Sequence, residues 1–499
     1  MWLSSQLRNW RCLVLNGRRS SPRRRRPDYG PPVEALECRT LLTAYAAATA
    51  AQLIADINAG NTNGGTNTIT LTAPTTSPYV LSAVNNFTDG PTALPVIKKG
   101  DNLTIVTGNG STSPGDGDTI DAAGHGRLFA VASGASLTLQ NVTLQNGSLF
   151  GSGVSAEGGA IFNQGSLTLI GATVQNNFAE GSWGANGLVT QKKQQSSGIN
   201  GQAGGDAAGG GIWSSGTVTL EGGTVVQNNE ALGGQGGAAG AFLSRTGNIA
   251  GNGGAGGGGS GGGIWSSGSL MLESGTVLQD NTAQGGAGGA GSIYSSNDVQ
   301  GSGGAARGGG IYIAGGTADI SGTTLGAVST RLGNTAQGGA GSDPLSGLGG
   351  AAYGGAVYVA AGTVTMSGDT VGSSQFGLSQ QIQNVAQGGA VATGSPIGVG
   401  AAYGGGIYAA GGNVTLTNDI VEGNVAGTYA NFGTFVAYVN GFGGGIFIAP
   451  VATVSIDNSS LFNTFYNADS SSPDALPDPN PAGLPDGTTA NIDGKYIVL

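Results

Sequence analysis

The chain has 499 residues, 100 of them glycine, with 9% charged residues and a formal net charge of −10. No Gly-X-Y period accompanies the glycine, which excludes a collagen triple helix, and 38% hydrophobic residues with so little charge argue against disorder. What remains is a repeat architecture, and no run of ~18 apolar residues offers a transmembrane helix.

In chain order, the first element is basic. Nine of the 18 Lys and Arg residues fall before residue 40, against only Asp28, Glu34 and Glu37. The remainder is correspondingly acidic, which argues against a nucleic-acid partner. Both cysteines, Cys12 and Cys38, lie in this segment, so the body has neither disulfide nor thiolate metal site. Residues 1–45 read as a disordered export segment: Arg23 to Arg26, then Pro27, Pro31 and Pro32, then Leu36-Glu37-Cys38-Arg39-Thr40-Leu41-Leu42. That heptad resembles the Leu-Glu-x-Arg-x-Leu-Leu motif of planctomycetal secreted and surface proteins, which implies export. It lacks the clean apolar stretch of an ordinary secretory signal, so the cleavage site stays open.

Residues 47–60 are predicted as a short helix with Leu53, Ile54 and Ile57 on one face and Gly60 as its stop. One such helix before a strand-rich body suits a solenoid cap. Residues 66–157 carry less regular strands, such as Thr68-Ile69-Thr70-Leu71 and Leu137-Thr138-Leu139, that fit the first coils.

From 158 to 465 a unit recurs seven times. Each copy opens with Gly-Gly, an aliphatic residue and an aromatic one. Three columns follow on alignment. The first is Ile161, Ile212, Ile264, Ile311, Val357, Ile407 and Ile446. The second is Leu169, Leu220, Leu272, Ile320, Met366, Leu416 and Ile456. The third is Val174, Val225, Val277, Leu325, Val371, Val421 and Leu461. Three short period-two strands per copy describe one triangular coil, and stacking puts like residues on like about 4.8 Å apart. An Asn-x-Ala closes the third strand at Asn177, Asn229, Asn281, Asn334, Asn384 and Asn424. These amides are expected to hydrogen-bond along the axis and to occupy left-handed corners. The glycine-rich excess, as in 251–263 and 284–310, is read as long loops leaving one corner of every coil, the alternative being a second, degenerate coil. Residues 466–499 form a Ser/Pro/Asp-rich tail in which Ile497-Val498-Leu499 can add a last strand.

The predicted class is therefore all-β: a right-handed parallel β-helix, 46–465, with a short N-terminal capping helix and Gly-rich loops. The Gly-Gly-aliphatic openings and Asn-x-Ala closings resemble the repeats of polymorphic outer-membrane proteins. Asp118-Thr119-Ile120-Asp121 and Arg127-Leu128-Phe129-Ala130-Val131 are similar to the opening coils of that group. The resemblance implies a secreted or surface-exposed protein linked to adhesion, with cell-envelope proteins or surface glycans as partners. The chain differs from the outer-membrane type in that its tail is too short for the ~8 strands of a barrel.

β-Helices also host polysaccharide lyases and hydrolases, which makes paired carboxylates at one repeat position candidates for catalysis. Asp369 and Asp419 share one repeat position and are the best acid/base pair on offer, although exposed corner residues explain them as well. Glu221 and Glu273 form a second same-position pair that suggests a calcium bridge only weakly. His125, the only histidine, sits in a Gly-His-Gly turn with no nucleophile beside it. A glycan-active site would need a cleft with two carboxylates, or a basic residue beside a carboxylate. Phe162, Trp213, Trp265, Tyr312, Tyr358, Tyr408 and Phe447 each follow a core aliphatic and so point outward. That row either stacks on sugar rings or is covered by the glycine-rich loops, and covering is favoured because bare apolar stripes aggregate. No metal or cofactor is expected. The reading is a non-catalytic extracellular or cell-surface protein, structural or adhesive; the alternative is a glycan-binding or polysaccharide-degrading β-helix enzyme.

Overall fold

The computed structural model describes residues 43–499 except 109–116, 152–154, 189–199, 243–248, 292–298, 328–332, 344–346, 374–382, 392–397, 432–435, 440, 466 and 468–490. The arginine-rich segment, both cysteines, the Leu36–Leu42 motif and most of the tail lie outside the described residues.

Among the described residues the parallel strands gather into five sheets of twelve, ten, nine, seven and seven strands. Successive strands of a sheet come from successive coils, as in Ser166–Ile170, Thr217–Glu221 and Ser269–Leu272. This is a parallel β-helix. Its first face starts at Ile161–Asn163, its second at Ser166–Ile170 and its third at Thr173–Gln175. Alternation sends Val218 and Leu220 into the core and leaves Thr217 and Thr219 outside. Every member of the first two predicted columns is buried and stands on its equivalent in the next coil. Each buried aliphatic contributes roughly 1.5–3 kcal/mol, and the sum holds the rod together without disulfides.

The third column differs from expectation. Val174 stands on Val226, not Val225, and Val226 stands on Leu278, not Val277. The corner Glu221-Gly222-Gly223 is one residue longer than Ile170-Gly171, and a one-residue shift turns a side chain to the other face. Leu325, Val371 and Val421 are in the column as expected. Leu461 is not: it lies in the short helix Asn458–Phe462, and Thr464 takes the rung beside Val421.

The asparagines form a continuous buried ladder. Asn177 Nδ2 donates to Asn229 Oδ1 at 2.9 Å, and the same bond recurs from Asn229 through Asn281, Asn334, Asn384 and Asn424. It runs on to Asn467 and Asn491, which the Asn-x-Ala pattern does not reach. The left-handed corner belongs to the residue before each early ladder position, as at Asn176, Asn228 and Asp280 with φ of 56°, 54° and 56°.

The N-terminal end is corrected, and at the C-terminal end the strand expected at Ile497-Val498 is present with a further one before it. The helix is Ala50–Asn63, with Thr49 as N-cap and Gly64, at φ 63°, as C-cap; Gly60 is a buried helical residue. Leu53 and Ile57 join the core, and the helix packs on Thr43–Ala47, Gly65–Leu71 and Asp101–Thr107. Thr43–Ala47 is thus the first rung, and its first three residues fall within the segment, 1–45, that was expected to be disordered. At the other end Ile492–Asp493 and Ile497–Val498 pair with Ile446–Phe447 and Ser455–Ile456, so the last residues of the tail add a coil.

The glycine-rich stretches are neither free loops nor a degenerate triangular coil. After the third face each coil runs outward through a short strand such as Phe178–Glu180 and returns through one such as Ala207–Ala208. The outgoing and returning strands make the two seven-stranded sheets, which face each other across a layer of alanines including Ala306, Ala336, Ala352, Ala386, Ala402 and Ala426. Farther out the backbone bonds with a three-residue period. Gly181, Gly184 and Gly187 donate to Leu232, Gln235 and Ala238 of the next coil, while Gly205 and Gln202 donate across to Ser182 and Ala185. A period of three is that of a polyproline-II-type chain, which satisfies its backbone only through neighbours. A Cβ on Gly204 or Gly257 would sit 1.9 Å from a carbonyl oxygen, and neither has a left-handed φ. Glycine is needed here for closeness, not for conformation. The result is a flat two-layer fin along the rod.

Candidate functional site

The aromatic row is real, and its geometry decides what it offers. Phe162 to Phe447 stack as one column, with consecutive centroids 4.6, 5.1, 6.0, 4.9, 5.2 and 5.2 Å apart and ring planes within 7°. Each inner ring therefore spends both faces on its neighbours, and only edges turn to solvent. Phe162 is buried and the other six are half-buried. Their cover comes from the returning strands of the fin. Tyr353, Tyr403 and Phe442 form a second stack, with centroids 5.3 and 5.2 Å apart, and Tyr353 and Tyr403 stand edge-on against Tyr358, Tyr408 and Phe447. Edge-to-face contacts suit the opposed charge of ring edge and face. These three were missed in the sequence, yet Ala-Ala-Tyr-Gly-Gly recurs at 351–355 and 401–405, always five residues before a row member. Where the row carries the larger indoles of Trp213 and Trp265, the same earlier position holds Ala208 or Ser260. Burial, together with the neighbouring phenols, pushes the Tyr408 hydroxyl up to about 12.

At its first member the row meets charge. The Arg127 guanidinium carbon lies 4.9 Å from the Phe162 ring centroid, and Arg127 Nη1 donates to the Asp89 carbonyl oxygen. Arg127 is only 2% exposed, and its Nε has no hydrogen-bond partner. Burial lowers its pKa to about 10, opposed by the charges of Asp89 and Glu157. Glu157 is pushed up by burial and pulled back by Arg127. Asp89, Arg127, Ser155, Glu157 and Phe162 line a cavity of about 530 Å³. This places a basic residue beside carboxylates, the arrangement a glycan-active cleft requires. Three separate segments contribute it, so no motif announces it.

Asp369 and Asp419 are adjacent as expected, but they are buried at 1% and 0% exposure, not exposed. Asp369 Oδ1 accepts from the Thr323 N–H and hydroxyl at 2.7 and 2.9 Å, and Oδ2 accepts from the Ser367 N–H at 3.0 Å. Asp419 Oδ1 accepts from the Asp369 N–H and Oδ2 from the Thr417 N–H, both at 2.8 Å. All four oxygens serve the corner of the coil, which leaves none facing a substrate. Glu273 is exposed and Glu221 half-buried on the second face, and His125 is exposed in its turn. Among the described residues no group of three or more His, Cys, Asp or Glu could hold a metal ion, and no helix is long and apolar enough to cross a membrane.

Comparison with protein-family models, with curated proteins and with solved structures finds no match to this chain.

Proposed function

We propose that the chain is a non-catalytic extracellular or cell-surface β-helix with a structural or adhesive role, carried out of the cell by its arginine-rich N-terminal segment. The observation that carries this reading is the destination of the buried polar groups. The amides from Asn177 to Asn491 bond to one another, and Asp369 and Asp419 bond to backbone, so their chemistry goes into stiffness along the axis. The resemblance to polymorphic outer-membrane repeats and to the planctomycetal export motif supports the compartment. Cell fractionation and surface proteolysis of the intact native host test it, with N-terminal sequencing of the mature chain. Recovery in the envelope or medium is expected; recovery in the cytosol alone defeats the proposal.

A second reading rests on one observation, the Arg127, Asp89 and Glu157 cavity. It makes the protein a glycan-active β-helix. Turnover of a polyuronate or neutral glycan that survives Asp369→Asn and Asp419→Asn but is lost in Glu157→Gln establishes that reading in place of the first.

A further inference from the structure

We propose that the chain binds neutral glycans in a recess on the outgoing side of the fin, with Trp183 as the platform for a sugar ring. The inference deepens the adhesive reading and rests on it for its biological sense. A sugar ring stacks through its C–H groups on the open face of an aromatic ring, and the inner rings of the Phe162–Phe447 column have none to give.

Trp183 is built differently. It is 64% exposed, and its indole N–H donates to Glu180 Oε1 at 2.6 Å. Its ring meets Phe150 at 6.1 Å and 67°. An exposed ring held at two points loses little freedom when a ligand arrives, which favours affinity. The indole borders a recess of about 290 Å³, at the small end of ligand pockets. Gly233 and Gly286 contribute bare backbone to it, so a ring can approach closely. Glu180, Gln235 and Gln284 supply a carboxylate and two amides, groups that accept from and donate to hydroxyls.

Beyond the recess the same sheet repeats its amide. Gln284 stands in register with Gln337 and then Gln387, all half-buried, at the ~4.8 Å rung spacing. A linear chain of hydroxylated rings finds amides in succession there. Charge selects against acidic sugars, because Glu180 stands close to a second carboxylate, Glu230, whose pKa is raised by burial and then by the charge of Glu180, and the chain as a whole carries −10.

The test uses the purified full chain titrated with cello-, manno- and N-acetylglucosamine oligosaccharides, and with oligogalacturonate, read by calorimetry and tryptophan fluorescence. At least one neutral series binds, and Trp183→Ala weakens it roughly tenfold or more. Trp183→Phe retains most of the affinity, Gln284→Ala lowers it, and Phe87→Ala, an exposed ring elsewhere, leaves it unchanged. Absence of binding by every neutral series, unaltered binding by Trp183→Ala, or preference for oligogalacturonate overturns the proposal. Binding by purified protein is independent of cell fractionation, so either proposal can fail while the other stands.

Discussion

The backbone N–H of Asp369 donates to Asp419 Oδ1 at 2.8 Å, so a carboxylate in one coil closes the corner of its neighbour. Burial above all, with the charges of Asp369 and Asp457, pushes Asp419 up to about 7 against hydrogen bonds from Asp369 and Thr417. A carboxyl raised in the folded state binds more protons there than in the unfolded chain. Its contribution is full below about pH 4 and is lost as pH rises through about 7. Thermal denaturation followed across that window is expected to show stability falling by roughly 4 kcal/mol, and Asp419→Asn to flatten the slope. A slope identical in the variant assigns the dependence to other groups.

The asparagine ladder has no slack in its middle. Asn281 Oδ1 accepts from the Asn229 amide and backbone, and its Nδ2 donates to Val226 O and Asn334 Oδ1. Asn281→Ala strands buried groups on both sides, each costing about 1–3 kcal/mol. Denaturant unfolding is expected to show a loss of several kcal/mol, larger than for Asn491→Ala at the ladder's end. Equal losses would mean the ladder does not act as a unit.

Two glycines separate closeness from conformation. A Cβ at Gly254 would meet the Gln202 carbonyl oxygen at 1.9 Å, whereas one at Gly315 meets nothing within 4 Å; neither has a left-handed φ. Gly254→Ala is expected to open the fin locally, seen as faster amide exchange around 201–205 and 234–237. Gly315→Ala is expected to be neutral or to stabilise by up to about 1 kcal/mol through the unfolded chain. Protection of the fin unchanged in Gly254→Ala would contradict the packing described.

Trp213 and Trp265 stack at 5.1 Å with planes 3° apart. Each indole lies over its neighbour's face, so ring currents are expected to move the indole proton resonances of both upfield, a shift that shrinks for the remaining indole in Trp213→Ala and in Trp265→Ala alike. Each variant also loses roughly 1–3 kcal/mol, less than a fully buried ring would, as a half-buried indole leaves the column. A spectrum unaltered by either substitution would show that the two rings do not stack in solution.

How much was legible in the sequence follows from where periodicity survives. Ile161 to Ile446 and Leu169 to Ile456 could be read because the first follows directly on the glycine-rich opening of each copy and the second recurs in the alternating Thr-aliphatic strand after it, even though the spacing between them drifts from copy to copy. Val226 and Leu278 could not, because Glu221-Gly222-Gly223 and Glu273-Ser274-Gly275 lengthen the corner by one residue. The inner fin showed only as the alanine of each Asn-x-Ala, and the outer fin left no hydrophobic pattern: its order lies in backbone hydrogen bonds and in the absence of side chains at positions such as Gly204 and Gly257. The aromatic row was visible, but the direction of its ring faces was not, since that depends on Trp213 lying directly over Phe162 in the next coil. Arg127, Asp89 and Glu157 converge only through folding, and Trp183 gains meaning only once the glycine floor beside it exists.

The ladder bonds Asn177–Asn229 and Asn229–Asn281 each join residues 52 apart, and Ile212 sits over Ile264 in the same register. Excising the segment from Ile212 through Gly263 therefore brings together ends that already match. The reach of the molecule is thus set in whole-copy increments, and unequal recombination between copies can lengthen or shorten it without redesigning any contact.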